Sequence, residues 1–297
     1  MSLARAAALA PLLLSLVGCD KAPKPKGDGA APVLTVIPPP SSSVDTSTGA
    51  APIPPELIAS TNNPSKLPAY SGPFGAIEGT ITYKGPPPEA EPQELPIPSR
   101  CADAREMYAK KFRVSPTSGI GDAIVAVTGF EQYVEPVAEA VTVDIHSCAY
   151  KSRTIVLAFG QRLEVVNTDD ESYVPHLYGA KNPAQMVAVP HGAPVKIYPR
   201  EIGRYRLSDD MRRPWMDAEV FVFKFATHAV TSAAGTYRVE RVPPGTVTVG
   251  AWHPQLSKSL APLAKREIVV KAGETLKVDL EISPAVAPAP SASAAKK

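Results

Sequence analysis

The chain has 297 residues, 44% of them apolar and 20% charged, and a net charge of +2. These values allow a real hydrophobic core and exclude a wholly disordered chain, and the near-neutral balance gives no electrostatic reason for a nucleic-acid partner. Proline is frequent, at 34, and aromatic residues are scarce, at 6%, which favours short strands and turns over a helical bundle.

Arg5 precedes an apolar run from Ala6 to Val17. The run is too short for a membrane-spanning helix and has the layout of an export signal over residues 1–18. It ends in Leu16-Val17-Gly18-Cys19, which resembles the bacterial lipobox. The resemblance implies that Cys19 becomes the lipid-modified first residue of the mature chain, on the periplasmic or outer side of a membrane of the cell envelope. Two acyl chains anchor durably where one does not. A soluble secreted protein with an incidental Cys19 is the alternative. Asp20 to Tyr70 holds 11 prolines in 51 residues, too little apolar surface to offset its ordering entropy. Residues 19–70 therefore read as a disordered tether and 283–297 as a disordered tail, leaving about 215 residues to fold, enough for one large or two small domains.

Between residues 75 and 282 the pattern is strand after strand. Ile77, Gly79, Ile81 and Tyr83 alternate with Glu78, Thr80 and Thr82, as a half-buried strand requires. The same alternation recurs at Val141/Val143/Ile145, Leu163/Val165, Tyr205/Leu207, Tyr237/Val239, Val247/Val249/Ala251 and Leu276/Val278/Leu280/Ile282. Segments 122–128, 154–159 and 219–225 are apolar on both faces, the mark of central strands. Only Ala102 to Phe112 has a helical look. In Val242-Pro243-Pro244-Gly245, Pro244 presets φ at one central turn position and Gly245 supplies positive φ at the next. The expected class is all-β, with one or two sandwiches.

With Cys19 assigned to lipid, Cys101 and Cys148 remain, in a compartment where disulfides persist, and the expectation is that they pair. Closing that loop is worth about 4 kcal/mol on the chain-entropy model. A metal-ligand or redox pair is the competing reading, although the spacing matches neither a metal knuckle nor Cys-x-x-Cys.

The stretch Gly160-Gln161-Arg162-Leu163-Glu164-Val165-Val166-Asn167-Thr168-Asp169, then His176 and later Arg213-Pro214-Trp215-Met216, resembles the cupredoxin-like (plastocyanin-like) domains of exported bacterial proteins. Thr227 to His253, with Gly235-Thr236-Tyr237 and Ala251-Trp252-His253, is similar to the transthyretin-like, carboxypeptidase-regulatory-like module often attached to them. The resemblance implies a Greek-key sandwich over 71–225, whose first strand at 75–83 can pair with the next module, and a smaller β-module over 226–282. It also implies a type-1 copper site of one thiolate, two imidazoles and an axial thioether. The first imidazole position falls on His176 and the thioether on Met216. The thiolate position falls on Asp210 and the second imidazole position on Arg213, and a guanidinium does not ligate copper. The expectation is therefore a degenerate site and no cofactor. The alternative is a softer copper site drawn from His176, Met216, Met186, His191 and Met211.

The loop Ser208 to Trp215 reads as solvated, with Asp209 and Asp210 offered to Arg212 and Arg213, and Arg212, Arg213 and Trp215 form a candidate contact rim. His146, His228 and His253 read as surface or packing residues. The acidic run Asp169-Asp170-Glu171 lacks the spaced oxygens of a calcium loop. No nucleophile elbow, His-Glu-x-x-His or phosphate-cradling glycine loop occurs, so the chain is expected not to be an enzyme. The combined expectation is a membrane-anchored, non-catalytic binding or scaffold protein of the envelope, meeting the membrane through Cys19 and some envelope protein or ligand, with copper binding or electron transfer as the rival.

Overall fold

Two helices and sixteen strands lie among the described residues. They are α1 (Pro55–Asn62), β1 (Gly75–Tyr83), α2 (Ala102–Tyr108), β2 (Ile124–Thr128), β3 (Ala140–His146), β4 (Ala149–Tyr150), β5 (Thr154–Ala158) and β6 (Arg162–Asn167). Then come β7 (Pro175–Tyr178), β8 (Val195–Ile197), β9 (Gly203–Asp209), β10 (Asp217–Phe223) and β11 (His228–Val230). The last five are β12 (Thr236–Val242), β13 (Gly245–Trp252), β14 (Ala264–Val270), β15 (Thr275–Lys277) and β16 (Leu280–Ile282). This computed structural model describes residues 50–284 apart from 87, 89–94, 111, 182, 184, 212 and 260. The signal, Cys19, most of the tether, the tail from 285 and Arg212 lie outside the described residues. Among the described residues no helix is long and apolar enough to cross a membrane.

The strands form two sandwiches. In the first, a sheet ordered β4-β3-β6-β8 faces a sheet ordered β5-β10-β9-β7. The chain changes sheet at most connections, so β3 pairs with β6, and β5 with β10, in parallel, while hairpin neighbours such as β9 and β10 are antiparallel. This crossed order is a Greek-key sandwich of the cupredoxin-like kind, closed around Val143, Ile145, Leu157, Leu163, Val165, Leu177, Leu207 and Val220. In the second sandwich, β11-β2-β13-β14 faces β12-β1-β15, with β16 also paired to β1. Its core includes Ile77, Ile81, Val125, Val127, Tyr237, Val239, Val249 and Leu280.

Strand parity explains why some segments are apolar on both faces. In β2, Val125 and Val127 enter the second core, whereas Ile124 and Ala126 turn the other way. In β10, Val220 and Val222 enter the first core, and Phe221 and Phe223 turn outward. The outward sets meet each other, with Val156 of β5 and Trp252 of β13, in a third buried cluster. The two sandwiches thus stack back to back as four layers, and the doubly apolar strands are those with a core on each side. Phe223 packs edge-on to Trp252, with ring centroids 5.5 Å apart, and the cluster is continued by Phe225.

Three sequence expectations change. Segment 122–128 belongs to the second sandwich and not the first, because β2 pairs with β11 and β13. The tether does not extend to residue 70: Ala51 and Ile53 are buried, α1 lays Ile58 on the first core, and Asn62 donates a side-chain bond to the Phe159 carbonyl at 2.7 Å. Proline density concealed this helix, whose first position is Pro55, where a missing N–H costs nothing. Finally, 276–282 is two short strands, β15 and β16, each parallel to β1. Between them Val278 turns its backbone onto β1, donating to the Glu78 carbonyl at 2.8 Å.

Cys101 and Cys148 are disulfide-bonded, with Cα atoms 5.3 Å apart. The bond fixes α2 and its leading residue to the β3–β4 turn of the first sandwich, although α2 lies in sequence between two strands of the second.

Candidate functional site

The residues at the expected metal corners fall into two separate polar clusters. Alternation along β9 puts Tyr205, Leu207 and Asp209 on its inner side, and the same parity across the hairpin carries Met216, Ala218, Val220 and Val222 inward. Met216 is therefore core, 1% exposed. Asp209 is a buried carboxylate. Its Oδ1 accepts the Val174 N–H at 2.7 Å and its Oδ2 accepts from Arg213 Nη1 at 2.9 Å. Arg213 also donates to Glu171 at 2.7 Å and to the Ser172 carbonyl at 3.2 Å, and lies 4.2 Å over the Tyr173 ring. Desolvation alone would lower the Arg213 pKa; Glu171 and Asp209 outweigh it, and the net direction is upward. Hydrogen bonds from Arg213 and Arg100 hold the Glu171 carboxyl below its ordinary value.

His176 and Tyr178 stand on the opposite side of β7 from the buried Leu177. Their rings stack at 4.1 Å. His176 Nδ1 lies 2.7 Å from Asp210 Oδ2, and a carboxylate only accepts, so Nδ1 carries the proton. Tyr178 donates its hydroxyl to Asp210 Oδ1 at 2.6 Å, which raises the phenol pKa. Burial works to raise the Asp210 pKa, but Tyr178 and His176 carry it the other way, to a net lowering. The Arg206 guanidinium sits 4.9 Å above the Tyr178 ring.

These placements test whether copper would fit, and the type-1 set does not. The Nδ1 of His176 is spent on Asp210, Arg213 is locked between two carboxylates, and both described cysteines are in the disulfide. The softer set is scattered: Met216 is buried in the core, Met211 is exposed, and His191 pairs with Asp170 at the surface, 2.9 Å away. Among the described residues no group of three or more His, Cys, Asp and Glu could hold a metal ion.

The contact rim needs correction as well. Trp215 is buried, 7% exposed, and its indole N–H donates to the Cys148 carbonyl at 3.1 Å, so it packs over the disulfide turn. Arg213 is half-buried and held by its own ion pairs, its side chain only 12% exposed. A buried indole and a guanidinium engaged with two carboxylates contribute to folding more than to a docking face.

Several residues of the family-like stretch prove structural. Asp169 accepts the N–H groups of Ser147 and Cys148 at 2.7 and 2.9 Å and the Tyr173 hydroxyl at 2.6 Å. Ser147 and Cys148 sit at φ 48° and 60°, the left-handed region that non-glycine residues avoid, and this one carboxylate holds the turn. Burial opposes the charge on Asp169, but its three donors outweigh burial and lower its pKa. Asn167 bridges the Glu171 and Ala188 carbonyls. His253, read as a packing residue, is 1% exposed and joins two segments. It accepts the Gln255 N–H on Nδ1, leaving Nε2–H to donate to the Gly121 carbonyl at 3.0 Å. His146 pairs with Asp103 at 2.8 Å, which Lys151 also contacts.

No protein-family model matches the chain, and no curated protein does. Among the solved structures that match part of it are amicyanins. The protein from Paracoccus versutus (Thiobacillus versutus) is 20% identical, over 33% of this chain and 96% of that one, with a TM-score of 0.25. A reduced tryptophan-to-tyrosine variant of amicyanin is 21% identical, over 30% and 86% of the two chains, also with a TM-score of 0.25. At that score the likeness adds nothing to the topology described above.

Proposed function

We propose that the chain is a non-catalytic binding or scaffold protein of a bacterial cell envelope, anchored through a lipidated Cys19, whose first sandwich has lost the copper chemistry of cupredoxins. The observation that supports the reading is Arg213, held between Asp209 and Glu171 at a corner where the resemblance would put a copper ligand. A metal ion there would meet a fixed positive charge, and removing that charge would strand a buried carboxylate. The polar groups of both clusters are spent on one another, which suits a static scaffold better than a site that must exchange a ligand or a proton. The module of β11–β16 is assigned to the transthyretin-like class on its sequence alone.

Metal titration tests the central point. The purified chain carrying Cys19→Ser, offered Cu(I) and Cu(II) and then desalted, is expected to retain neither in stoichiometric amount and to show no intense visible colour. Stoichiometric retention that disappears in His176→Ala and Met216→Ala would overturn the reading in favour of copper handling. Incorporation of labelled palmitate into the wild-type chain, and its loss in Cys19→Ser, tests the anchor separately.

A further inference from the structure

A cavity of about 610 Å³ opens where the two sandwiches meet, away from the clusters just described. The first sandwich contributes Lys151, Ser152, Arg153 and Thr154; the second contributes Thr231, Ser232 and Arg238. Arg113 and Asp122 complete the wall from the segment leading into β2. Four cationic side chains thus face one carboxylate. Asp122 is taken by Arg113 in a two-pronged pair at 2.6 and 2.8 Å. Lys151 pairs with Asp103, and Arg238 with Glu78 and Glu240, all outside the cavity.

Arg153 is different. It is half-buried, and among the described residues no carboxylate pairs with it. Its Nη1 alone is used, on the Met107 carbonyl at 3.3 Å and on the Lys110 carbonyl, and its plane lies 5.8 Å from the Tyr108 ring. Among the described residues Nε and Nη2 have no protein acceptor, and these neighbouring donors form the fork that grips two oxygens of one anion. Burial lowers the Arg153 pKa; the carboxylates whose charge reaches it, Asp122 and Asp217, are already engaged with Arg113 and with Ser208 and Arg206. A guanidinium stays charged at every working pH, so these two donors stand open to an anion that enters the cavity. The Ser152 hydroxyl, which is exposed and has no protein partner among the described residues, stands beside it.

We infer that this cavity binds the phosphoryl group of a small organic molecule, gripped by Nε and Nη2 of Arg153 with Arg113 and Ser152 beside it. With four cations in the wall against one carboxylate, a phosphoryl dianion answers more of the lining charge than a singly charged carboxylate would, and the volume leaves room for an organic remainder. The inference holds whether or not the chain is lipidated or binds copper.

The test is a titration of the full chain with inorganic phosphate, followed by backbone-amide chemical shifts. Phosphate is expected to move the amides of 151–154 and 229–233 with a Kd on the order of 1 mM or tighter. Arg153→Met is expected to abolish the response. Because Arg153 also supports two carbonyls and an aromatic ring, that variant is paired with Ser152→Asp, which keeps Arg153 and places a carboxylate at the exposed mouth. Ser152→Asp is expected to melt with the wild type and to weaken phosphate by at least ~10-fold. Phosphate that leaves those amides still, or that shifts them equally in wild type and in a folded Ser152→Asp, would sink the inference. Acetate shifting the same amides as strongly as phosphate would overturn the choice of a phosphoryl group.

Discussion

At the scale of single residues, the corner where the resemblance would put a copper ligand holds an ion pair. Arg213 and Asp209 form a pair whose carboxylate is fully buried, and such pairs are costly to break by halves. Arg213→Met should therefore destabilise the fold by about 3–5 kcal/mol, read as a drop in the urea midpoint. Arg213→Lys should recover only part of that, since one ammonium cannot reach Asp209, Glu171 and the Ser172 carbonyl together. Two histidines, the buried His253 and the half-buried His228, should contribute to the acid limb of stability. Burial lowers His228 and His253 from 6.5 to about 4 in the folded chain. Between those values the unfolded chain binds the extra protons, so stability is complete above about pH 6.5 and is lost progressively as the pH falls towards about 4. His228 has an unpartnered buried Nε2, so His228→Leu should raise the melting temperature and flatten that limb, measured by thermal scans from neutral to acid pH. Much of this level was readable: inward parity from Tyr205 and Leu207 already reaches Asp209, and counting back from Ala218 reaches Met216. The mixed charges of the loop hid it, because composition suggests solvent where parity points to the core.

At the scale of elements, alternation gave the strands their positions, and their faces gave the rest. Segments at 141–145, 163–165, 205–207, 237–239 and 247–251 became β3, β6, β9, β12 and β13 because one face of each had a core to meet. Short strands such as β4, β8 and β11, two or three residues long, carry too little pattern to be read before the fold exists. Gly79 sits at an inward position that sequence parity would give to a large side chain. A Cβ there would lie 2.0 Å from the Val278 carbonyl oxygen, where the chain between β15 and β16 leans on β1. Gly79→Ala should then cost about 1–3 kcal/mol as backbone is pushed aside, seen as a lower melting temperature. The Cys101–Cys148 bond was legible from the cysteine number together with the expectation of an oxidising compartment. What was not legible is that it fastens an excursion of one sandwich's chain onto the other. Its loss in Cys101→Ser should cost about 2–5 kcal/mol, measured under oxidising conditions against the wild type.

At the scale of the whole molecule, the sandwiches share a buried aromatic seam and should unfold together. Phe223 sits at its centre, between Trp252 and Phe225. Phe223→Ala should cost about 3–5 kcal/mol and divide one calorimetric transition into two, as the halves lose the surface that couples them. The domain order could not be read linearly, because strands β1 and β2 precede the first sandwich yet pair within the second. Hydrophobicity on both faces of 122–128, 154–159 and 219–225 was the available signal; it identified central strands without saying that their second core is a neighbouring sandwich.

The parallel pairing of β1 with β16 has a mechanical consequence. Tension applied between the segment entering β1 and the segment leaving β16 would drag the two strands past each other lengthwise, straining their rungs in shear together and not unzipping them one by one. The first sandwich, whose strands leave the chain after β2 and return before β11, lies off that line of force and would stay folded until the second had given way.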